Sequence, residues 1–198
     1  LAGNAEALAF EPSFAPNGKD LAYVTWSDEG LGQIAVTGLD QTGAPRYLNT
    51  GKGTFRTPAF SPDGKWIVYR KQGGDDETGF VNSKKPGIYL IDATGKNAPR
   101  FVAEEGENPR FSPDGQRIYV NTGGYLFGAL DKAFVSFDLN GKDRRVHVKS
   151  KYVNQWAPSP DGKWLAFTEL HKAYVCALPT TGQPIDLSAD TKAIPVAQ

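Results

Sequence analysis

Phe60-Ser61-Pro62-Asp63-Gly64-Lys65-Trp66-Ile67-Val68-Tyr69 places a sharp polar turn between two apolar stretches. Proline presets the turn and Asp-Gly supplies the positive-φ geometry of a hairpin, so the strand Thr57-Pro58-Ala59-Phe60 reverses into Trp66-Ile67-Val68-Tyr69. The turn returns as Ser112-Pro113-Asp114-Gly115 and Ser159-Pro160-Asp161-Gly162, with a near-copy at Ala15-Pro16-Asn17-Gly18. From proline to proline the spacings are 46, 51 and 47 residues. One four-stranded propeller blade takes roughly 40 to 50 residues. A single repeat domain therefore accounts for the 198 residues better than two ordinary domains.

Working outward from the turn, Lys65-Trp66-Ile67-Val68-Tyr69 is matched by Leu21-Ala22-Tyr23, Ile118-Tyr119-Val120 and Leu165-Ala166-Phe167. These runs are apolar on both faces, as expected of a strand sandwiched between neighbouring blades. Third strands follow at Gln33-Ile34-Ala35-Val36, Ile88-Tyr89-Leu90-Ile91, Phe134-Val135-Ser136-Phe137 and Tyr174-Val175-Cys176-Ala177. Glycine turns at Thr42-Gly43, Thr94-Gly95, Asn140-Gly141 and Thr181-Gly182 lead to outer strands at Tyr47-Leu48, Phe101-Val102, Val146-His147-Val148 and Ile185-Asp186-Leu187. Pro45, Pro99 and Pro184 stand at the starts of three of these, where a missing amide donor suits an edge. In the fourth repeat Trp156 replaces Pro12, Pro58 and Pro109, while Pro158 replaces Phe14, Phe60 and Phe111. Such a swap can conserve volume and reads as local repacking. The fold class is thus all-β, a propeller of four four-stranded antiparallel blades, at about 5–50, 51–104, 105–150 and 151–188. Residues 189–198 read as the start of a further strand, the first of a fifth blade. That start and the absence of methionine point to a piece of a larger propeller, the alternative being four blades that close on themselves.

Composition narrows the partners. Lys plus Arg and Asp plus Glu number 22 each, so no basic excess exists to hold phosphate backbones, and nucleic acid is not expected. No stretch approaches the roughly 20 apolar residues of a membrane span. The N-terminus lacks the basic and apolar regions of a signal peptide. The lone Cys176 excludes an intramolecular disulfide and reads as a packed thiol.

Phe60 to Tyr69, and its slightly altered copy at Phe111 to Val120, resemble the TolB-type propeller repeat, and the likeness covers about 180 residues. The ending, Leu187-Ser188-Ala189-Asp190 with Ala193-Ile194-Pro195-Val196-Ala197-Gln198, is most similar to propellers attached to secreted amidohydrolases. The resemblance implies an accessory domain, with catalytic residues on a separate hydrolase domain, and a periplasmic or secreted location.

The chemistry-bearing residues are few. Gly-x-Ser-x-Gly, His-Glu-x-x-His and Cys-x-x-Cys do not occur, and two histidines, His147 and His171, cannot make a three-histidine metal site. No catalytic residue, metal ligand or cofactor is expected, and both histidines read as ordinary polar residues. Thr50-Gly51-Lys52-Gly53-Thr54 lacks the earlier glycine of a phosphate loop and reads as a link between blades. Asp75-Asp76-Glu77 lacks alternating calcium-loop spacing and reads as a solvated acidic tip.

Recognition is expected in the links between second and third strands, which vary most. Phe80 and Val81, with Tyr125, Leu126 and Phe127, would form a shared apolar patch for a protein or peptide; the loops folding back over their own blades is the competing reading. Exposed blade edges would also permit self-association. Three functions remain open at this point: a noncatalytic scaffold belonging to an exported hydrolase, a stand-alone TolB-like adaptor for an envelope protein, and a hydrolase with its site over the central channel.

Overall fold

The computed structural model describes residues 8–40, 43–48, 50–51, 53–73, 84–123, 131–169, 172–181, 183–187 and 194–195. Blade one comprises β1 (Leu8–Phe14), β2 (Asp20–Ser27), β3 (Leu31–Gly38) and β4 (Arg46–Tyr47). Blade two comprises β5 (Thr54–Phe60), β6 (Trp66–Gln72), β7 (Gly87–Asp92) and β8 (Arg100–Ala103). Blade three holds β9 (Glu107–Phe111), β10 (Arg117–Thr122), β11 (Lys132–Asp138) and β12 (Arg145–Ser150). Blade four holds β13 (Val153–Pro158), β14 (Trp164–Glu169) and β15 (Lys172–Ala177). Consecutive strands pair antiparallel within each sheet. The four sheets stand around a shared axis as the blades of a propeller.

Both faces of the middle strands are buried, and alternate residues feed different cores. Ile67 and Tyr69 join Ala22, Val24, Ile34 and Phe55 between blades one and two. Val68, between them in sequence, joins Ile118, Val120 and Val135 between blades two and three. Tyr119 packs with Phe134, Trp156 and Leu165 between blades three and four. Aromatic contacts run through these layers: Tyr69 meets Phe55 edge-on at 5.5 Å and stacks on Tyr89 at 5.8 Å. Each such pair contributes about 0.5–1.5 kcal/mol beyond its buried area. The substituted Trp156 lies 6.1 Å from both Phe134 and Phe167 and is buried, so the swap in blade four is a repacking.

The three Ser-Pro-Asp-Gly turns share the same internal bonding. The Ser61 hydroxyl accepts from the Trp66 amide at 2.9 Å and donates to Asp63 at 2.6 Å, and Asp63 accepts from the Lys65 amide at 3.1 Å. The hydrogen bond from Ser61, with that from Lys65, holds the Asp63 carboxyl below the usual carboxylate range. Gly64 closes the turn at φ 72°. A Cβ on Gly64 would stand 3.8 Å from Pro16, one on Gly115 3.6 Å from Pro62, and one on Gly162 2.9 Å from Pro113. From blade two onward, each turn glycine thus lies beside the preceding blade's turn proline. Gly18 has nothing within 4 Å of that position among the described residues.

Two expectations are corrected at the end of the chain. Ile185-Asp186-Leu187 does not form the outer strand of blade four. Instead β16 (Ile185–Asp186) adds parallel to β12, extending blade three to five strands. The outer position of blade four goes to β17 (Ile194–Pro195), antiparallel to β15, where a fifth blade's first strand was expected. The physical reason is visible at Leu187, whose amide donates to the Lys149 carbonyl at 2.9 Å, and at Pro179, whose carbonyl is held by His147 on β12.

Candidate functional site

The innermost strands β1, β5 and β9 line the axis side by side, and each carries an irregularity at its proline. Register shifts fall between Phe10 and Ser13, between Arg56 and Ala59, and opposite Tyr119 to Asn121. Glu11, Thr57 and Asn108, the residues before Pro12, Pro58 and Pro109, adopt φ of 53°, 49° and 51°. A following proline disfavours the right-handed helical region, and these bulge residues take the left-handed one, at a cost of order 1–2 kcal/mol each. Blade four has Trp156 instead of proline, and Gln155 before it shows no positive φ.

The three bulges are tied across blades. The Glu11 carboxylate accepts from Arg56 Nε at 2.6 Å and from the Thr57 amide at 2.5 Å. Arg70 donates to Glu107 at 3.2 Å and to the Glu104 carbonyl at 3.1 Å. The Thr57 hydroxyl is buried with no hydrogen-bond partner. Against these bulges lies a cavity of about 340 Å³, lined by Glu11, Thr57, Asn108, Arg110 and the intervening prolines. Toward the turns lies a second, about 260 Å³, reached by all four blades through Pro16, Pro62, Pro113 and Pro160. Ala59 and Arg110 line both.

Arg110 breaks the repeat. Its counterparts are Ser13, Ala59 and Ala157, all small. Every other arginine in the chain donates to a carboxylate, a carbonyl or a side-chain amide oxygen. Arg110 has no hydrogen-bond or ion-pair partner among the described residues. Its partial burial lowers the guanidinium pKa, and the group nonetheless stays charged.

A serine–histidine pair does exist, in blade three. Arg117 Nε donates to Ser136 Oγ at 2.8 Å, Ser136 Oγ lies 2.7 Å from His147 Nε2, and His147 Nδ1 lies 2.6 Å from the Pro179 carbonyl. The carbonyl only accepts, so Nδ1 carries the proton; Nε2 then accepts from the serine hydroxyl. Burial lowers the His147 pKa. Ser136 is 0% and His147 2% exposed, so this pair is almost fully buried, and through Pro179 it fastens the following chain to blade three. His147 borders a cavity of about 500 Å³, where Arg144 and Arg145 are engaged by Glu105 and Asp143.

The predicted partner patch, Phe80, Val81, Tyr125, Leu126 and Phe127, lies outside the described residues, as do His171 and Asp75-Asp76-Glu77. Cys176 is buried and burial raises its thiol pKa, as suits a packed thiol. In the glycine-rich link, Gly53 bridges to Gly32 across blades one and two. No group of three His, Cys, Asp or Glu side chains suited to a metal occurs among the described residues. Among the described residues no helix is long and apolar enough to cross a membrane. Sequence reasoning missed the channel wall, although aligning the four repeats at their prolines exposes Arg110 as the one long side chain in a small position.

Four antiparallel blades around a channel walled by proline bulges define a β-propeller. Over residues 2–181 the chain matches the TolB beta propeller domain, and it belongs to that family. Among solved structures it is similar to TolB from Acinetobacter baumannii, with 19% identity, a TM-score of 0.63, and coverage of 87% of this chain and 42% of that one. An oligogalacturonate lyase in complex with manganese matches with 17% identity, a TM-score of 0.65, and coverage of 87% and 51%. The β-propeller domain of the Trilobed protease from Pyrococcus furiosus, described as having an open velcro topology, matches with 14% identity, a TM-score of 0.58, and coverage of 97% and 58%. At these identities the likeness is one of fold, and the chain spans about half the length of each.

Proposed function

We propose that this chain is a noncatalytic propeller scaffold, the accessory domain of an exported hydrolase in the periplasm or outside the cell, which engages protein or substrate through its non-repeating surfaces. The observation that carries this reading is the contrast between the two places where reactive side chains gather. The serine–histidine pair is almost fully buried and fully bonded, with Arg117 donating to its serine and the Pro179 carbonyl holding its histidine. Beside its prolines and small residues the open channel wall carries Glu11, Thr57, Asn108, the rings of Phe60, Phe111 and Tyr119, and one unpaired cation, with Glu11 already bonded to Arg56 and the Thr57 amide. Catalysis needs a nucleophile, a base and an orienting group converging on accessible space, whereas binding needs only a shaped wall and a few polar groups.

The coding frame beyond Gln198 tests the hydrolase link: a hydrolase domain in the same frame supports it, and a stop codon soon after Gln198 overturns it. For the binding role, deleting residues 75–82 is expected to weaken engagement of partner or substrate while the far-ultraviolet circular dichroism stays unchanged. Unaltered engagement removes that loop from the surface.

A further inference from the structure

We propose that the channel wall around Arg110 is a subsite for an organic carboxylate, one acid group carried on a small apolar body. The proposal rests on reading the chain as a binding propeller and supplies that reading with a ligand chemistry.

Three observations converge on it. Arg110 stands where the other blades carry Ser13, Ala59 and Ala157, so the repeat's geometry does not require it. Its guanidinium is unpaired among the described residues although it is partly buried, and it borders two cavities of about 340 and 260 Å³. A planar guanidinium presents a fork of donors that matches a carboxylate's two oxygens. The cavities are at or below the lower end of small-molecule sites, roughly 300–1,000 Å³, so the occupant is small or is the tip of something larger.

The surroundings choose the anion. The turn-side cavity is lined by Phe60, Phe111, Tyr119, prolines and the turn serines, whose hydroxyls already donate to Asp63, Asp114 and Asp161, and no acidic side chain lines it among the described residues. Proline has no amide to donate, so the wall is poor in the backbone donors and additional cations that a phosphate dianion requires. One charge, flanked by aromatic and pyrrolidine rings, suits a monoanion with an apolar tail. On the bulge side Glu11 is the only acidic lining residue among the described residues, and its charge is taken up by Arg56 and the Thr57 amide. The buried, partnerless Thr57 hydroxyl belongs to that same wall.

The test titrates the intact protein with 3-phenylpropionate and with its neutral amide, and separately with an acetylated dipeptide ending in a free phenylalanine carboxylate and with its C-terminal amide. Saturable binding of the acids and none of the amides is expected; acid binding confined to the small molecule or to the peptide identifies the source of the carboxylate. Arg110→Ala restores the repeat's own small residue, so the fold should persist, and the acids should bind at least about tenfold more weakly. Equal binding of acid and amide overturns the subsite, as does binding by Arg110→Ala that matches the parent. If the acids fail to bind while deletion of residues 75–82 still weakens partner engagement, the subsite falls and the scaffold stands. If the acids bind Arg110-dependently and the purified chain also hydrolyses p-nitrophenyl esters, the subsite stands and the noncatalytic reading falls.

Discussion

Gly162 and Gly18 occupy the same place in their turns, at φ 70° and 65°, yet their surroundings differ. A side chain at Gly162 would press on Pro113 at 2.9 Å, whereas one at Gly18 meets open space among the described residues. Gly18→Ala should therefore cost only the backbone strain, about 1–2 kcal/mol. Gly162→Ala should cost that and the displacement of blade four from blade three. Urea midpoints compare the two directly, and equal losses would mean that the glycine–proline contact carries no energy. At this scale the sequence was highly informative, because Ser-Pro-Asp-Gly names its own hydrogen bonds. Arg110 was equally visible in the letters but passed unremarked, since its meaning comes from the missing partner, which only three-dimensional neighbours reveal.

Strands inherit their clarity from length and hydrophobicity. The second and third strands of every blade were legible because a run apolar on both faces leaves little alternative in a stack of sheets. The outer positions were not. Two residues such as Ile185-Asp186 carry no period, and nothing in them says which sheet edge they join. That choice is made by the His147 clamp, through a carbonyl at Pro179 that no sequence pattern marks. Because the folded pKa of His147 is depressed, its contribution is complete above the unfolded value of about 6.5 and is lost as pH falls below it. Stability measured by urea should thus decline between pH 7 and pH 5, and His147→Asn should flatten this slope. The same variant should lose about 1–3 kcal/mol at neutral pH, since it unpairs buried groups. An unchanged slope would show that the residue titrates freely and that the clamp is not formed in solution.

Seen whole, the molecule is covered unevenly. Leu165 and Phe167 of blade four are buried against blade three, while Trp164, on the opposite face of the same strand, is 45% exposed. At the other end Phe14 is 67% exposed, although its counterparts Phe60 and Phe111 are partly buried between blades. Exposed aromatic faces of this kind favour association. The purified chain is expected to show a concentration-dependent mass by size-exclusion chromatography with light scattering, and Phe14→Ser with Trp164→Ser should move it toward the monomer. A constant monomeric mass for the parent would assign those faces no role in self-association.

The contact between a turn glycine and the previous turn's proline gives the array a direction. Each turn carries both halves of a joint, a socket and a peg, and they face opposite ways around the axis. Among the described residues Gly18 is a socket without a peg, and Pro160 accepts no glycine. A further blade that repeated this geometry beside blade one would set its proline against Gly18, and one beside blade four would set its glycine against Pro160. The four-residue turn thus gives the row of blades a polarity as well as reversing the chain.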